Sequence, residues 1–226
     1  MNARNKKTTK ELTMIAMLCA LSYVIMLVSQ ILPPMIPATP FLKYDPKDIT
    51  IVIGGFIFGP LAAFSISTVV SLIEMVTVSD TGIIGLIMNI VSTCAFACTA
   101  AVIYKKKHTL NGAVIGLISG SLAMTAVMLL WNYLLTPIYM GIPRQAVTQI
   151  LVPAILPFNL IKCGLNSAIT LLVYKPLVTA LRKAKLIDES ASNENTEKSA
   201  KTGLTLFSLL VLATCILIIL ALQGII

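Results

Sequence analysis

Five apolar stretches, near residues 12–32, 82–104, 111–135, 151–174 and 203–226, each approach the ~20 residues that carry a helix across ~30 Å of hydrocarbon. A single run of this kind could be one buried helix, but five in 226 residues exceed what a soluble core can enclose. Composition agrees, with 57% hydrophobic and only 12% charged residues, where soluble domains carry roughly 25% charged. The reading is an all-α integral membrane protein.

A net charge of +8 raises the question of a nucleic-acid partner, and the placement of the charges answers it. Arg4, Lys6, Lys7 and Lys10 precede the first run, and Lys105, Lys106 and Lys107 form one tight loop. Lys175, Arg182, Lys183, Lys185, Lys198 and Lys201 follow the sixth segment, so thirteen of the 17 Lys and Arg residues fall on one side of a membrane. The positive-inside rule makes that side cytoplasmic, with the N-terminus inside. The charges are thus topological signals of a multi-pass protein of a cell membrane, contacting lipid and no nucleic acid.

The same rule sets the helix count. With the neutral stretch 33–48 outside and 105–107 inside, the chain crosses an odd number of times between them. Three crossings fit, about 49–59, 60–78 and 82–104, punctuated by Gly54, Gly55, Gly59 and Pro60. The first is too short to span, which predicts a short, tilted or broken helix. The division is a basic cytoplasmic N-terminus (1–11), a six-helix membrane domain (12–183), a polar cytoplasmic linker (184–202) and one additional C-terminal transmembrane helix (203–226). The last, free of charge, reads as a plain lipid-facing anchor. Although the first run follows basic residues as a signal peptide does, it ends in Leu32-Pro33-Pro34 without a small-residue cleavage site and stays as a helix. All five cysteines lie in predicted helices, where disulfides are not expected.

Polar side chains at membrane depth are costly and mark function. PFNLIKCGLNS places Asn159, Lys162 and Asn166 at i, i+3 and i+7, on one helical face. Asn132 lies between Trp131 and Tyr133, aromatics that commonly form an interface belt; Asn89, Ser92 and Thr93 face the same interior if their helix turns that way. The Pro-rich loop 33–48 is a candidate lid over an external site. Lys43, Asp45, Lys47 and Asp48, with Glu74 and Asp80, form exposed charge pairs worth about 0–1 kcal/mol each, enough to latch that lid. Catalysis finds no support: the lone His108 sits in the basic loop, no metal-ligand set forms around Cys94 and Cys98, and no Walker A motif is present. Any ATP-driven work would need another subunit, and no cofactor is expected.

FLKYDPKDITIVIGGFIFGP (41–60) and ILPFNLIKCGLNS (155–167) give the chain its family resemblance. Over about 10–183 it resembles the riboflavin-specific S components of energy-coupling-factor (ECF) transporters. The resemblance implies a six-helix bundle that captures riboflavin at its outer end and delivers it inward with a transmembrane coupling protein and two cytoplasmic ATPase subunits. By position it implies that Asn132, Asn159 and Lys162 contact the flavin ring and ribityl chain, that Thr39 and Phe41 belong to the lid, and that Ala16 and Ala20 touch the coupling protein; taken alone, the four-residue spacing of those two alanines reads as internal packing. Asn89, Phe158 and Trp131 complete the candidate substrate-binding set, since a neutral flavin needs an apolar slot, an aromatic wall and a few donors. Another vitamin or flavin analogue as cargo, and a stand-alone membrane facilitator, are the alternatives.

Overall fold

The computed structural model describes residues 3–37, 39–183 and 198–225. Positions 184–197 of the expected linker lie outside the described residues. The helices are α1 (Ala3–Ser29), α2 (Lys47–Phe58), α3 (Pro60–Thr77), α4 (Gly82–Lys107), α5 (Leu110–Met140), α6 (Arg144–Ile150) and, after a π turn at Leu151–Ile155, α7 (Leu156–Lys183) and α8 (Lys198–Leu222). Among the described residues six helical paths are long and apolar enough to cross a membrane, with α6, the π turn and α7 forming one of them. At 12 residues, or about 18 Å, α2 is too short, as its sequence predicts.

Short as it is, α2 is the axis of the bundle. Every residue from Lys47 to Phe56 is buried, because α1, α3, α4 and α7 all pack around it. A helix apolar on all sides has to be enclosed in this way. Gly55 permits the enclosure: a Cβ there would lie 2.9 Å from Ala101 Cβ and 3.0 Å from Ala63 Cβ. At its far end Gly59 takes φ +95°, a left-handed value that suits glycine, and Pro60 starts α3 with its fixed φ. The chain therefore reverses at once.

α4 and α5 approach as closely. A Cβ at Gly116 would sit 2.7 Å from Ala100 O, and one at Gly120 2.5 Å from Phe96 O, so both glycines let two helix backbones touch. Where α4 ends, His108 adopts φ 43°, and Thr109 Oγ1 accepts a hydrogen bond from Gly112 N at 3.1 Å to cap α5.

The bundle has two dissimilar ends. One carries Lys105, Lys106 and Lys107, and above them an aromatic floor closes the space below α2. There Phe56 lies 4.4 Å centroid to centroid from Tyr104 and edge-on to Tyr174 at 5.6 Å, while the two tyrosine hydroxyls meet at 2.7 Å. The opposite, loop end carries residues 30–46, the α3–α4 turn and the α5–α6 turn.

Two boundaries differ from expectation. α5 continues to Met140 through Pro137, which the sequence places in a loop. Proline lacks one N–H and so costs one helical hydrogen bond, and three residues from the helix end this leaves the last turn intact. The sixth path extends past its expected 151–174 on both sides, with the π turn around Pro153. Such turns absorb a register shift inside a helix. α8 is mostly exposed, as a lipid-facing helix should be, but it carries one packed stripe: Ser208 and Cys215 are buried, and Val211, Leu212 and Ile219 pack on the cluster that holds Cys215.

Replacing Gly120 by Leu is expected to force α4 and α5 apart. The cost of overpacking is about 1–3 kcal/mol, readable as a lowered thermal unfolding midpoint in detergent. An unchanged midpoint would mean that the two helices are not in backbone contact.

Candidate ligand-binding site

Polar chemistry concentrates at the loop end, around the N-terminus of α2. Asp45 Oδ1 accepts from Lys47 N at 3.1 Å, an Asx turn that ends the loop and starts the helix. The next residues carry their side chains into the bundle. Asp48 is fully buried, and its Oδ1 accepts from Thr93 Oγ1 of α4 at 2.7 Å. Its Oδ2 accepts from Asn166 Nδ2 of α7 at 3.3 Å and faces Lys162 Nζ, also at 3.3 Å. An acid in the first turn also meets the positive end of the helix dipole.

A second ion cluster adjoins the first. Lys47 Nζ bonds Asp45 Oδ2 at 2.6 Å and Glu74 Oε2 of α3, with 2% of the lysine side chain exposed. Asn166 joins the two clusters, accepting from Tyr44 Oη at 2.8 Å and donating to Asp45 O at 3.4 Å. The loop, α2, α3, α4 and α7 are thus tied by one polar network. Sequence reasoning expects these pairs to be exposed, whereas the structure buries Lys47 and Asp48. Lys43 instead stays exposed, reaching Gln30 Oε1 at 3.4 Å, and Asp80 is also exposed. Burial changes the energetics, because removing one partner of an enclosed pair leaves an uncompensated charge.

Two loop groups titrate in this setting. Burial pushes the Tyr44 hydroxyl well above its usual range, reinforced by the Asp48 and Asp45 carboxylates, so it remains a donor to Asn166. Burial also pushes the Asp45 carboxyl up, but the charges of Lys47 and Lys162 outweigh that and hold it below the usual range. Asp45 therefore stabilises the fold above the ordinary carboxylate pKa of about 3.9, and the contribution is lost as pH falls through its lowered value.

The predicted stripe on α7 is present: Asn159, Lys162 and Asn166 are all buried. Asn159 Nδ2 donates to Ile155 O at 2.8 Å, binding the π turn to α7. Asn132 does the same on α5, donating to Met128 O at 2.8 Å and accepting from Thr136 Oγ1 at 2.9 Å. Lys162 has Asp48 as its sole polar contact among the described residues, although an ammonium carries three donors. Two buried polar atoms close to these elements have no partner, Thr39 Oγ1 in the loop and Trp131 Nε1 on α5. Unpaired buried donors are rare and call for an explanation.

The remaining candidates separate. Phe158 is buried with Met35, Ile36 and Leu42, so the loop is seated on α7. Phe41 is 40% exposed and takes no part in that cluster. Asn89 is half-buried, with Ser92 Oγ donating to its carbonyl at 3.3 Å. Trp131 packs on the core, whereas Tyr133 is exposed with the Arg144 guanidinium 5.3 Å from its ring centroid; the interface-belt reading therefore fits Tyr133 alone. Ala16 and Ala20 are exposed on α1, not packed inside. Sequence reasoning missed the pairing of Asp48 with Thr93 and Lys162, because nothing local in YDPKD reveals a partner 45 or 114 residues away.

A membrane bundle with buried donors at one end beneath a seated loop has the layout of a solute-binding membrane protein. Its family follows from comparison. Residues 10–174 match the family described as ECF transporter, substrate-specific component, and the chain belongs to that family. It is 31% identical over 193 residues to the riboflavin transporter RibU of Staphylococcus aureus (strain TCH60), covering 81% of this chain and 100% of the relative. Riboflavin transporter FmnP of Bacillus subtilis (strain 168) is 28% identical over 189 residues, covering 78% and 98%. A solved S component of a bacterial ECF transporter superposes with a TM-score of 0.65 at 31% identity, covering 77% of this chain and 99% of that one. The matched family region stops at residue 174, short of α8.

Asp48→Ala is expected to strand the Lys162 charge and cost about 3–5 kcal/mol, seen as a large fall in the unfolding midpoint. Pairing it with Lys162→Met should recover most of that loss. Failure of the double substitution to recover stability would show that the two side chains are not coupled.

Proposed function

We propose that this chain is the riboflavin-binding subunit of an ATP-driven importer, capturing the vitamin at the loop end and delivering it to the opposite, cytoplasmic side. The observation that carries the reading is the pair of unpartnered buried donors, Thr39 Oγ1 and Trp131 Nε1, on the loop and helix that flank Asn132, Asn159 and Lys162. A ligand with carbonyl and hydroxyl acceptors satisfies such groups. Lys162 already faces Asp48 at 3.3 Å, so it offers N–H donors without a free charge. An uncharged polar ligand with a flat apolar body, as riboflavin is, matches that balance better than an anion. Phe158 and Trp131 supply the apolar and aromatic walls.

The relatives named as riboflavin transporters support the same cargo. The basic end, with Lys105, Lys106 and Lys107, faces the cytoplasm by the positive-inside rule. ATP hydrolysis belongs to partner subunits, a coupling membrane protein and two ATPases as the family resemblance implies. The exposed Ala16 and Ala20 on α1 offer four-residue spacing for close approach of a partner helix. α8 leaves that face open, since it packs on α7 while α1 packs on α2 and α3.

Titrating riboflavin into the purified chain is expected to quench flavin fluorescence saturably at one flavin per chain. Thr39→Val and Asn159→Ala should each weaken binding about tenfold, the cost of a lost buried hydrogen bond. Flavin fluorescence unchanged across micromolar concentrations would overturn the assignment.

A further inference from the structure

α8 lies beyond the matched family region, yet its buried stripe is specific. Its inner half packs loosely: an apolar crevice of about 230 Å³ opens between α5, α7 and α8, lined in part by Phe207, Ser208 and Val211. Its outer half packs tightly. Cys215 sits over Gly164 of α7, where an added Cβ would be 3.0 Å from its Sγ. In the same apolar cluster Val211, Leu212, Cys215 and Ile219 join Met35, Ile36 and Leu42 of the first loop, together with Phe158 of α7. Just past the helix, Gln223 Nε2 donates to Pro34 O at 3.2 Å. Pro34 precedes the loop's two overlapping turns, closed by Thr39 N to Ile36 O and Leu42 N to Thr39 O, each at 3.0 Å.

We propose that the outer half of α8 is a strap for the first loop, docking on Met35, Ile36 and Leu42 and hydrogen-bonding Pro34, and that Gln223 is a positioning residue for the lid. The loop is otherwise short of means to hold itself. Prolines at 33, 34, 37 and 40 remove four backbone donors from it, and its one firm polar tie lies at the far end, at Tyr44 and Asp45. Without α8, the segment bearing Thr39 would rest on α7, the π turn and Leu129 of α5, with no element across its outer side. The strap therefore sets how often the lid opens and how long a ligand stays beneath it. This consequence for the ligand rests on the riboflavin reading; the docking of α8 on the loop does not.

Two variants of the full chain test it: Gln223→Leu, which removes the donor, and Ile219→Ala, which trims the apolar contact. Hydrogen–deuterium exchange of peptides covering 33–42 is read in detergent, beside the rate of riboflavin release after dilution. The expected result is exchange and release each faster by about threefold to tenfold, the range set by one lost hydrogen bond, with the global unfolding midpoint nearly unchanged. Unaltered exchange in both variants overturns the strap. Faster exchange with unaltered release overturns its role in retention. If the parent chain binds no riboflavin but exchange still rises, the strap stands and the cargo assignment falls.

Discussion

The pairing of Asp48 with Lys162 is the contact on which the loop end depends. It joins α2 to α7 across 114 positions of sequence in a region with little water, where each charge is tolerable only because the other is present. Thr93 and Asn166 supply further donors to the carboxylate, and through Asn166 the restraint reaches Tyr44 and Asp45. The axis helix, two surrounding helices and the loop are therefore held by one carboxylate. It also leaves the Lys162 ammonium facing a carboxylate, so on the proposed reading the lysine offers donors without a free charge.

The axis helix is the second constraint. Being too short to cross lipid, α2 survives only inside the bundle, and its enclosure depends on positions that carry almost no side chain. Gly55 meets Ala63 and Ala101, while Gly116 and Gly120 bring α5 onto α4. Close packing of backbones replaces the hydrophobic drive that lipid does not provide between helices.

Much of this architecture was legible from the residues. Apolar length and the side bias of Lys and Arg gave the crossings, and the shortness of the second helix was visible in its glycines. The inward stripe of Asn159, Lys162 and Asn166 followed from helical period alone. What could not be read was pairing: the partners of Asp48 come from α4 and α7, and local sequence does not encode which helix stands beside which. Nor could exposure be judged for Lys47, a residue type that is seldom enclosed. The lipid-facing character of α8 was readable, but its packed stripe was not, because Ser208, Val211, Cys215 and Ile219 differ little in polarity from the exposed residues around them.

The aromatic floor has a consequence of its own. Phe56, Tyr104 and Tyr174 stack where the axis helix, buried through Phe56, comes to its end, so this end of the bundle is packed with rings. On the proposed reading a ligand held at the loop end has these stacked rings between it and the basic end, so its release on that side calls for a rearrangement of the bundle.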